Sequence, residues 1–574
     1  MSEAVVNLRR YVPRAAASPL SWLVLLIILL ACYRFSLIDR GHFYWGDERC
    51  YLPASDLVDA VARGDFDTAL RHLYRPRSGV PAARPGFVVV SVLPVLAQRV
   101  VGKLAGINRD LPQYYDIASA FNVLVTLGVT VCLYALGCAW TKRPWFALLI
   151  AMVYSLLVNA NVWVRHMVPY QESLLLFLLA LWLLSTGPAA TGGLPARAFP
   201  GRITGSELPV APGTWRIVLA GLLTAFAYSC YPGHYAYVII IGAVLLATSR
   251  RWLRSAATFG LSFGFVIGVF ELLAHLAGRS YIMDMRRLAP SVTMGDRREG
   301  YVFAWRYLRD VEGLVGVLLF GLFCGFVLFA LWRRQVRIPR TIRVAIIAAI
   351  GAYLFHATAG LWTGRMVLYG RILMLYLPLV IAGAVLTLIH MCGPGLRRVG
   401  VCALVAASGY SFVDFALSYN RVVYPIEFLQ ETMTKLDRDI VYPADALWRM
   451  EGMILPESLE QLDPALVNIV DTRPDGADTY AVLSSHEEAR QSNARFIGVN
   501  LKFMWYFRKA YHRFTPPKGY RLVAEALHPE VFRGTGYEGR KPWERDRIRR
   551  RQYKMRIYER VHSQEQVTYD GPRY

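Results

Sequence analysis

The stretch SPLSWLVLLIILLACYRFSLIDRGHFYWGDERC, residues 18–50, holds the two readings on which the rest of the chain turns. Its first part, Ser18–Leu37, is long and apolar enough for one helix to cross a hydrocarbon layer about 30 Å thick. It lacks a small-residue cleavage site, so it reads as a retained helix and not a removed signal. Arg9, Arg10 and Arg14 precede it, which places the N-terminus in the cytoplasm and the first loop outside. That loop opens with Gly46-Asp47-Glu48 a few residues past the helix, two adjacent carboxylates where a membrane helix meets water. Ionisable groups in such a position are costly and commonly mark chemistry or ion movement. The structural alternative is that Asp47 and Glu48 cap a short interfacial helix or pair with Arg49.

The whole chain supports a membrane setting. Of 574 residues 55% are apolar, and mean hydropathy is +0.33, which excludes an ordinary soluble domain. The formal net charge is +23. In a membrane protein that excess holds cytoplasmic loops and meets anionic headgroups; no nucleic-acid motif accompanies it. The eight cysteines show no CxxC or Cys/His metal spacing, and none comes after Cys402, so neither structural zinc nor a C-terminal disulfide is expected.

The fold class expected is a polytopic α-helical membrane protein of about 11 transmembrane helices, with interfacial helices in its first external loop and a soluble α/β domain at its C-terminus. Residues 1–17 form the cytoplasmic N-terminus, 18–418 the membrane domain and 419–574 the external domain. Spans are expected at 18–37, 116–140, 144–162, 172–187, 215–231, 234–249, 254–277, 313–332, 343–362, 369–390 and 398–418. The loop 38–115 carries amphipathic patterns at 56–62 and 67–73, then an apolar segment, 85–105, interrupted by Pro94, Gln98, Arg99 and Lys103. If 85–105 lies in the interface, the basic turns at Lys142/Arg143, Arg197/Arg202, Arg250/Arg251/Arg254, Arg333–Arg343 and Arg397/Arg398 all fall inside. If it spans, all fall outside. The positive-inside rule therefore favours the interfacial placement. The external loop 278–312 breaks that rule with seven arginines, so either the topology fails there or they face an anionic ligand. In the C-terminal part, 480–483 and 553–558 read as strands, and 426–436 and 494–513 as helical or mixed. The basic run 540–560 reads as a solvated or headgroup-facing surface.

Four polar groups fall on the external side in this topology: Asp47-Glu48; Arg165-His166 with Glu172 opening a helix; His234 in a Tyr-Pro-Gly-His turn; and Arg365 with Tyr369-Gly370-Arg371. Each has a plainer role. Glu172 suits a helix N-terminus, Arg371 can snorkel, and buried histidines usually serve hydrogen bonding.

Taken together, the segments FYWGDERCYLPASDLVDAV, ARPGFVVVSVLPVL, RHMVPYQESLLLFLLALWLL and YGRILMLYLPLVIAGAVL resemble the GT-C glycosyltransferases, in particular the protein-mannosyltransferase and lipid-A aminoarabinose-transferase branch. The resemblance covers roughly 18–418. It departs at the single Pro85 after Arg84 and at Ile372, where the family has an aromatic residue. It implies an inverting glycosyltransferase in a bacterial inner membrane, with active site and C-terminal domain periplasmic. The implied donor is a polyprenyl-phosphate sugar, the acceptor a glycan, another lipid-linked molecule or a protein, with membrane lipids around it. By matched position, Asp47 would be general base, Glu48 its neighbour and Glu172 a second catalytic acid residue. Arg371, with Arg365 and Tyr369, would bind the donor phosphate, and His166, Arg165, His234 and Arg84 would bind substrate. Mg²⁺ or Mn²⁺, if used, would sit on Asp47 and Glu172. The alternatives left open are a glycan ligase using a lipid pyrophosphate and a flippase or transporter without chemistry.

Overall fold

A computed structural model of the chain describes residues 18–38, 46–74, 84–107, 115–186, 213–249, 251–291, 295–332, 338–436, 467–470, 496–499, 515–516 and 518–561. The expected strand at 480–483 lies outside the described residues.

The first helix begins as its sequence dictates. Ser18 caps Pro19–Phe35 by accepting the Ser21 N–H, with Pro19 in the first turn, where a missing N–H costs nothing. The chain is predominantly helical. Among the described residues, five helices are long and apolar enough to cross a membrane: Pro85–Ala105, Asp116–Thr141, Trp252–Leu276, Arg340–Thr363 and Pro394–Tyr419. Seven shorter apolar helices accompany them, at Pro19–Phe35, Pro144–Leu156, Tyr170–Ser185, Thr214–Cys230, Pro232–Thr248, Leu314–Phe329 and Leu377–His390. Every span expected from the sequence coincides with a helix. Two are broken: Val158–Asn161 comes after Pro144–Leu156 as a separate turn, and Gly370–Leu373 precedes Leu377–His390.

Segment 85–105, expected to lie in the interface, is one unbroken helix despite Pro94. Its second half is tied by polar contacts to the amphipathic helix Leu52–Ala62. Tyr51 donates its hydroxyl to Gln98, and Arg99 donates to the Ser55 carbonyl at 3.0 Å and pairs with Asp59 at 2.7 Å.

Small residues let the helices approach closely, as in membrane bundles generally. A Cβ on Gly137 would lie 2.7 Å from the Ala147 Cα of the neighbouring helix. We therefore expect Gly137→Val to destabilise the bundle by roughly 1–3 kcal/mol, measured as a lower unfolding temperature in detergent. An unchanged melt would show that this contact is not a constraint. The first helix is fastened by a buried arginine: Arg34 donates to Asn161 Oδ1, Thr126 Oγ1 and the Ser155 carbonyl at 3.0–3.2 Å. This satisfies an intramembrane cation with neutral acceptors.

The described C-terminal part is a helix, Pro425–Leu436, and a four-stranded sheet in the order β1 (Val467–Val470), β2 (Phe496–Val499), β4 (Lys554–Arg560), β3 (Tyr520–Leu527). β1 and β2 are parallel; β4 is antiparallel to both β2 and β3. Within 494–513 the described piece is thus a strand. Met555 and Ile557 share a core cluster with Cys50, Tyr51, Leu73 and Phe87, which seats the sheet on the amphipathic helices of the first loop.

The basic run is not simply a solvated face. Arg540 forms a two-bonded pair with Glu530, at 2.9 and 3.0 Å, and Arg545 pairs with Glu299. Both arginines are buried. The arginines of 278–312 likewise find acids close by: Arg279 with Asp284, Arg306 with Glu299 and Arg309 with Asp310. Their charge is thus partly neutralised within the protein. Arg286, Arg287 and Arg298 stay exposed.

Candidate active site

The helices alternate in direction, so two ends of the bundle can be told apart. One end gathers Gly46–Cys50, the start of Pro85–Ala105, the 162–170 turn, Pro232–His234, Gly370–Leu373 and the 529–541 segment. The other carries Lys142, Arg143, Arg216 and Arg397. There Arg216 donates to Thr186, and Arg397 to the carbonyls of Leu388, Ile389 and Cys392.

At the first end a chain of alternating charge forms. Asp47 and Glu48 sit on one turn, Gly46–Cys50, and point different ways. Asp47 Oδ1 accepts from Arg84 Nη2 at 3.0 Å. Its Oδ2 accepts from the Tyr170 hydroxyl and lies 3.5 Å from Arg371 Nη1. Arg371 in turn donates from Nη1 to the Tyr170 oxygen at 3.1 Å, and its backbone N–H donates to Glu538 Oε1 at 2.8 Å. Glu538 Oε2 lies 3.5 Å from Arg371 Nη1. The order is Arg84, Asp47, Arg371, Glu538: two guanidinium groups and two carboxylates, bridged by a phenol. The Arg371 side chain is 16% exposed and that of Glu538 2%.

Aromatic rings frame the cations. Arg84 lies over the Tyr231 ring at 4.9 Å, and Arg371 lies 4.6 Å from the Tyr369 ring centre and 5.4 Å from that of Tyr170, within the range of cation–π attraction. Glycines make the close approaches possible. A Cβ on Gly370 would meet Glu538 Oε1 and the Tyr307 ring, each at 2.8 Å; one on Gly86 would meet the Ser229–Cys230 backbone. Burial, with the charge of Asp47 adding to it, pushes the Glu538 carboxyl up to about 8 against the opposing pull of Arg371.

A second layer holds Arg371 from behind. His234 links Ser173 Oγ, at 3.2 Å from Nδ1, to the Arg371 carbonyl, at 3.3 Å from Nε2. Asn159 donates to the Gly370 carbonyl at 2.9 Å and to the Tyr307 hydroxyl. Glu312 accepts the N–H groups of Val158 and Asn159 at 2.8 and 3.0 Å, satisfying the start of the Val158–Asn161 turn.

Of the residues expected from the sequence, Asp47, Arg84, Arg371 and Tyr369 come together, and His234 supports them. Glu48 stands one step away, 3.4 Å from His166 Nδ1, and accepts the Met167 N–H; the Glu48 and His166 side chains are fully buried and link the first turn to the 162–170 turn. Arg165 lies 3.8 Å over the Tyr419 ring and donates to the Tyr419 carbonyl at 2.8 Å, so it anchors the end of Pro394–Tyr419. Arg365 is exposed, and its backbone N–H donates to Thr363. Glu172 is buried but two residues from Tyr170. Positions i and i+2 do not share a helix face, so Glu172 cannot accompany Tyr170 onto Asp47. Sequence reasoning misses Tyr170, Tyr231 and Glu538. Tyr170 and Tyr231 stand inside the motifs that carry the other residues, whereas Glu538 gives no local signal.

A divalent ion on Asp47 and Glu172 does not fit this geometry. Arg84, Tyr170 and Arg371 already occupy both Asp47 oxygens, Glu172 faces elsewhere, and the described residues hold no group of three or more His, Cys, Asp or Glu side chains able to bind a metal. No step is therefore assigned to a metal. No family model matches the chain, and no curated protein matches it.

Proposed function

We propose that the chain is a GT-C-type membrane glycosyltransferase that moves a sugar from a polyprenyl phosphate to an acceptor hydroxyl. The observation that carries this reading is one carboxylate, Asp47, set between two partly exposed guanidinium groups at one end of an apolar helical bundle. Such a transfer needs a base for the acceptor proton and fixed cations for the phosphate that leaves on its lipid. The acceptor oxygen attacks the anomeric carbon, Asp47 takes its proton, and the bond from that carbon to the phosphate oxygen breaks toward Arg371. The outcome is inversion. Arg84 Nη1 and Arg371 Nε make no hydrogen bond to described residues, and donors of this kind suit an anion. Tyr369 stacks behind Arg371, and His234 fixes its backbone.

Orientation follows from charge. Lys142, Arg143, Arg216 and Arg397 lie at the end remote from Asp47, so the positive-inside rule puts the Asp47 end outside the cytoplasm. In a bacterial inner membrane that face is periplasmic. The contacts of Gln98 and Arg99 with the Leu52–Ala62 helix support an interfacial place for Pro85–Ala105, leaving eleven crossings with the C-terminal domain outside.

The test is single-turnover transfer from a panel of radiolabelled polyprenyl-phosphate sugars by the purified protein, with membrane extract as acceptor. Label is expected to move from one donor to one acceptor class. A protein that binds polyprenyl phosphate yet consumes none of the donors would overturn the enzyme reading in favour of lipid movement.

A further inference from the structure

We propose that Glu538, carried by the C-terminal domain, occupies on Arg371 the position that the donor phosphate takes, so that donor binding requires Glu538 to withdraw. The inference rests on the lipid-phosphate donor proposed above and adds a residue and an order of events to it.

Three observations lead there. First, Glu538 engages Arg371 as an anionic ligand would. One oxygen accepts the backbone N–H at 2.8 Å and the other approaches Nη1 at 3.5 Å, while Gly370 leaves the space that lets a carboxylate come so close. Second, the space beside Arg371 is already taken: Asp47 Oδ2 and Glu538 Oε2 each lie 3.5 Å from its Nη1. A phosphate reaching the same nitrogen needs one of the two carboxyl groups to give way. Third, the two carboxylates are not held equally. Asp47 accepts from Arg84 and from Tyr170 as well as facing Arg371. Among the described residues, Glu538 accepts its hydrogen bond from Arg371, and its Oε2 accepts none.

The surroundings allow a local movement. Glu538 is followed by Gly539 at φ 90°, a conformation that glycine adopts without strain. On either side the segment is pinned, by Tyr537 to Asp310 and by Arg540 to Glu530, with Arg545 on Glu299 beyond. Glu538 can therefore leave Arg371 while the domain stays docked. Withdrawal would also free Arg371 to turn from Asp47 toward the phosphate, releasing the Asp47 oxygen needed to accept a proton. Donor arrival and base activation would thus be one event.

The experiment measures binding of a short-chain polyprenyl phosphate to the full-length protein in detergent, wild type beside Glu538→Gln. The amide keeps an acceptor for the Arg371 N–H and cannot ionise, so the comparison is read at about pH 9, where the wild-type carboxyl carries its charge. Binding is expected to tighten about 10-fold or more, the scale of one hydrogen bond to a charged group. A second variant, Glu538→Cys, reads the movement directly: maleimide modification at position 538, followed by peptide mass, is expected to be slow alone and faster with polyprenyl phosphate present. Unchanged or weaker binding by a folded Glu538→Gln, or labelling at 538 insensitive to the lipid phosphate, would overturn the proposal. Failure of wild type itself to bind polyprenyl phosphate saturably would instead overturn the donor reading, and this inference with it.

Discussion

Asp47→Asn is expected to lower sugar transfer by roughly 10²–10⁴-fold, the usual contribution of a positioned general base, while polyprenyl phosphate still binds. The amide is nearly the same shape, so Arg84 keeps an oxygen to donate to. What it loses is the capacity to take a proton. It also presents an NH₂ group to Tyr170 and Arg371 where an acceptor stood, so some local rearrangement is expected. Two measurements separate chemistry from folding: single-turnover rate on the folded fraction, and unfolding temperature. Glu48→Gln is the comparison. Glu48 bonds to the 162–170 turn through His166 and Met167, so its loss should show mainly in the unfolding temperature. Full transfer by a folded Asp47→Asn protein would remove Asp47 from the mechanism. An equal loss in both variants, tracking stability, would make the acidic pair structural.

The fold is legible in the sequence because the bilayer imposes a strong pattern. A span must be long and apolar, and each apolar segment read from the sequence coincides with an apolar helix, five helices of the described residues being long enough to cross. The acidic pair is legible for the same reason, since charge stands out against hydrocarbon. The break at 157–158 is not, because tertiary hydrogen bonds, from Val158 and Asn159 to Glu312, mark the interruption. That at 374–376 has a local signal in Pro378, in the first turn of the next helix. Glu172 is legible as an acid at a helix start, but which residues it meets depends on its helix face, which the local signal does not fix. Tyr170, two residues earlier, meets Asp47. Glu538 is illegible because it meets Arg371 across 167 residues of sequence and no motif surrounds it. The arginines of 278–312 and 540–560 look like a ligand surface and a solvated surface. Several prove to be partners of Glu299, Asp310, Asp284 and Glu530, and the pairing of Arg545 with Glu299 exists only because the C-terminal part docks there.

Arg371→Gln should have the largest effect on the protein as a whole. Removing one partner from a buried charged group typically costs about 3–5 kcal/mol, because the remaining charge is left uncompensated. Here two carboxylates, Asp47 and Glu538, would lose the guanidinium between them. The cost should depend on pH, and the sign follows from Glu538. Its carboxyl is pushed up to about 8 in the folded protein, by burial first, against about 4.3 for a free glutamate. A folded-state pKa raised in this way contributes stability that is complete below the unfolded value and is lost as pH rises through the folded one. Wild type should therefore lose this contribution between about pH 4 and pH 8. Without Arg371 the opposing pull is gone, the carboxyl rises further, and ionised Glu538 becomes harder to accommodate. The stability difference between variant and wild type should thus be smallest near pH 5 and grow toward pH 9. The other ionisable groups facing Glu538 are Asp47 and the phenols of Tyr231, Tyr307 and Tyr369. A phenol ordinarily ionises at about pH 10, above this range. Thermal unfolding of both proteins in detergent over that pH range is the measurement, with Glu538→Gln in both backgrounds as control. In that control the pH dependence of the difference should flatten. A penalty that is the same at every pH, or that shrinks as pH rises, would show that Glu538 does not carry the titration and that Arg371 stabilises the protein through Asp47 alone. Transfer by the variant should also fall by roughly 10²–10³-fold, the scale of one lost charge-stabilising donor.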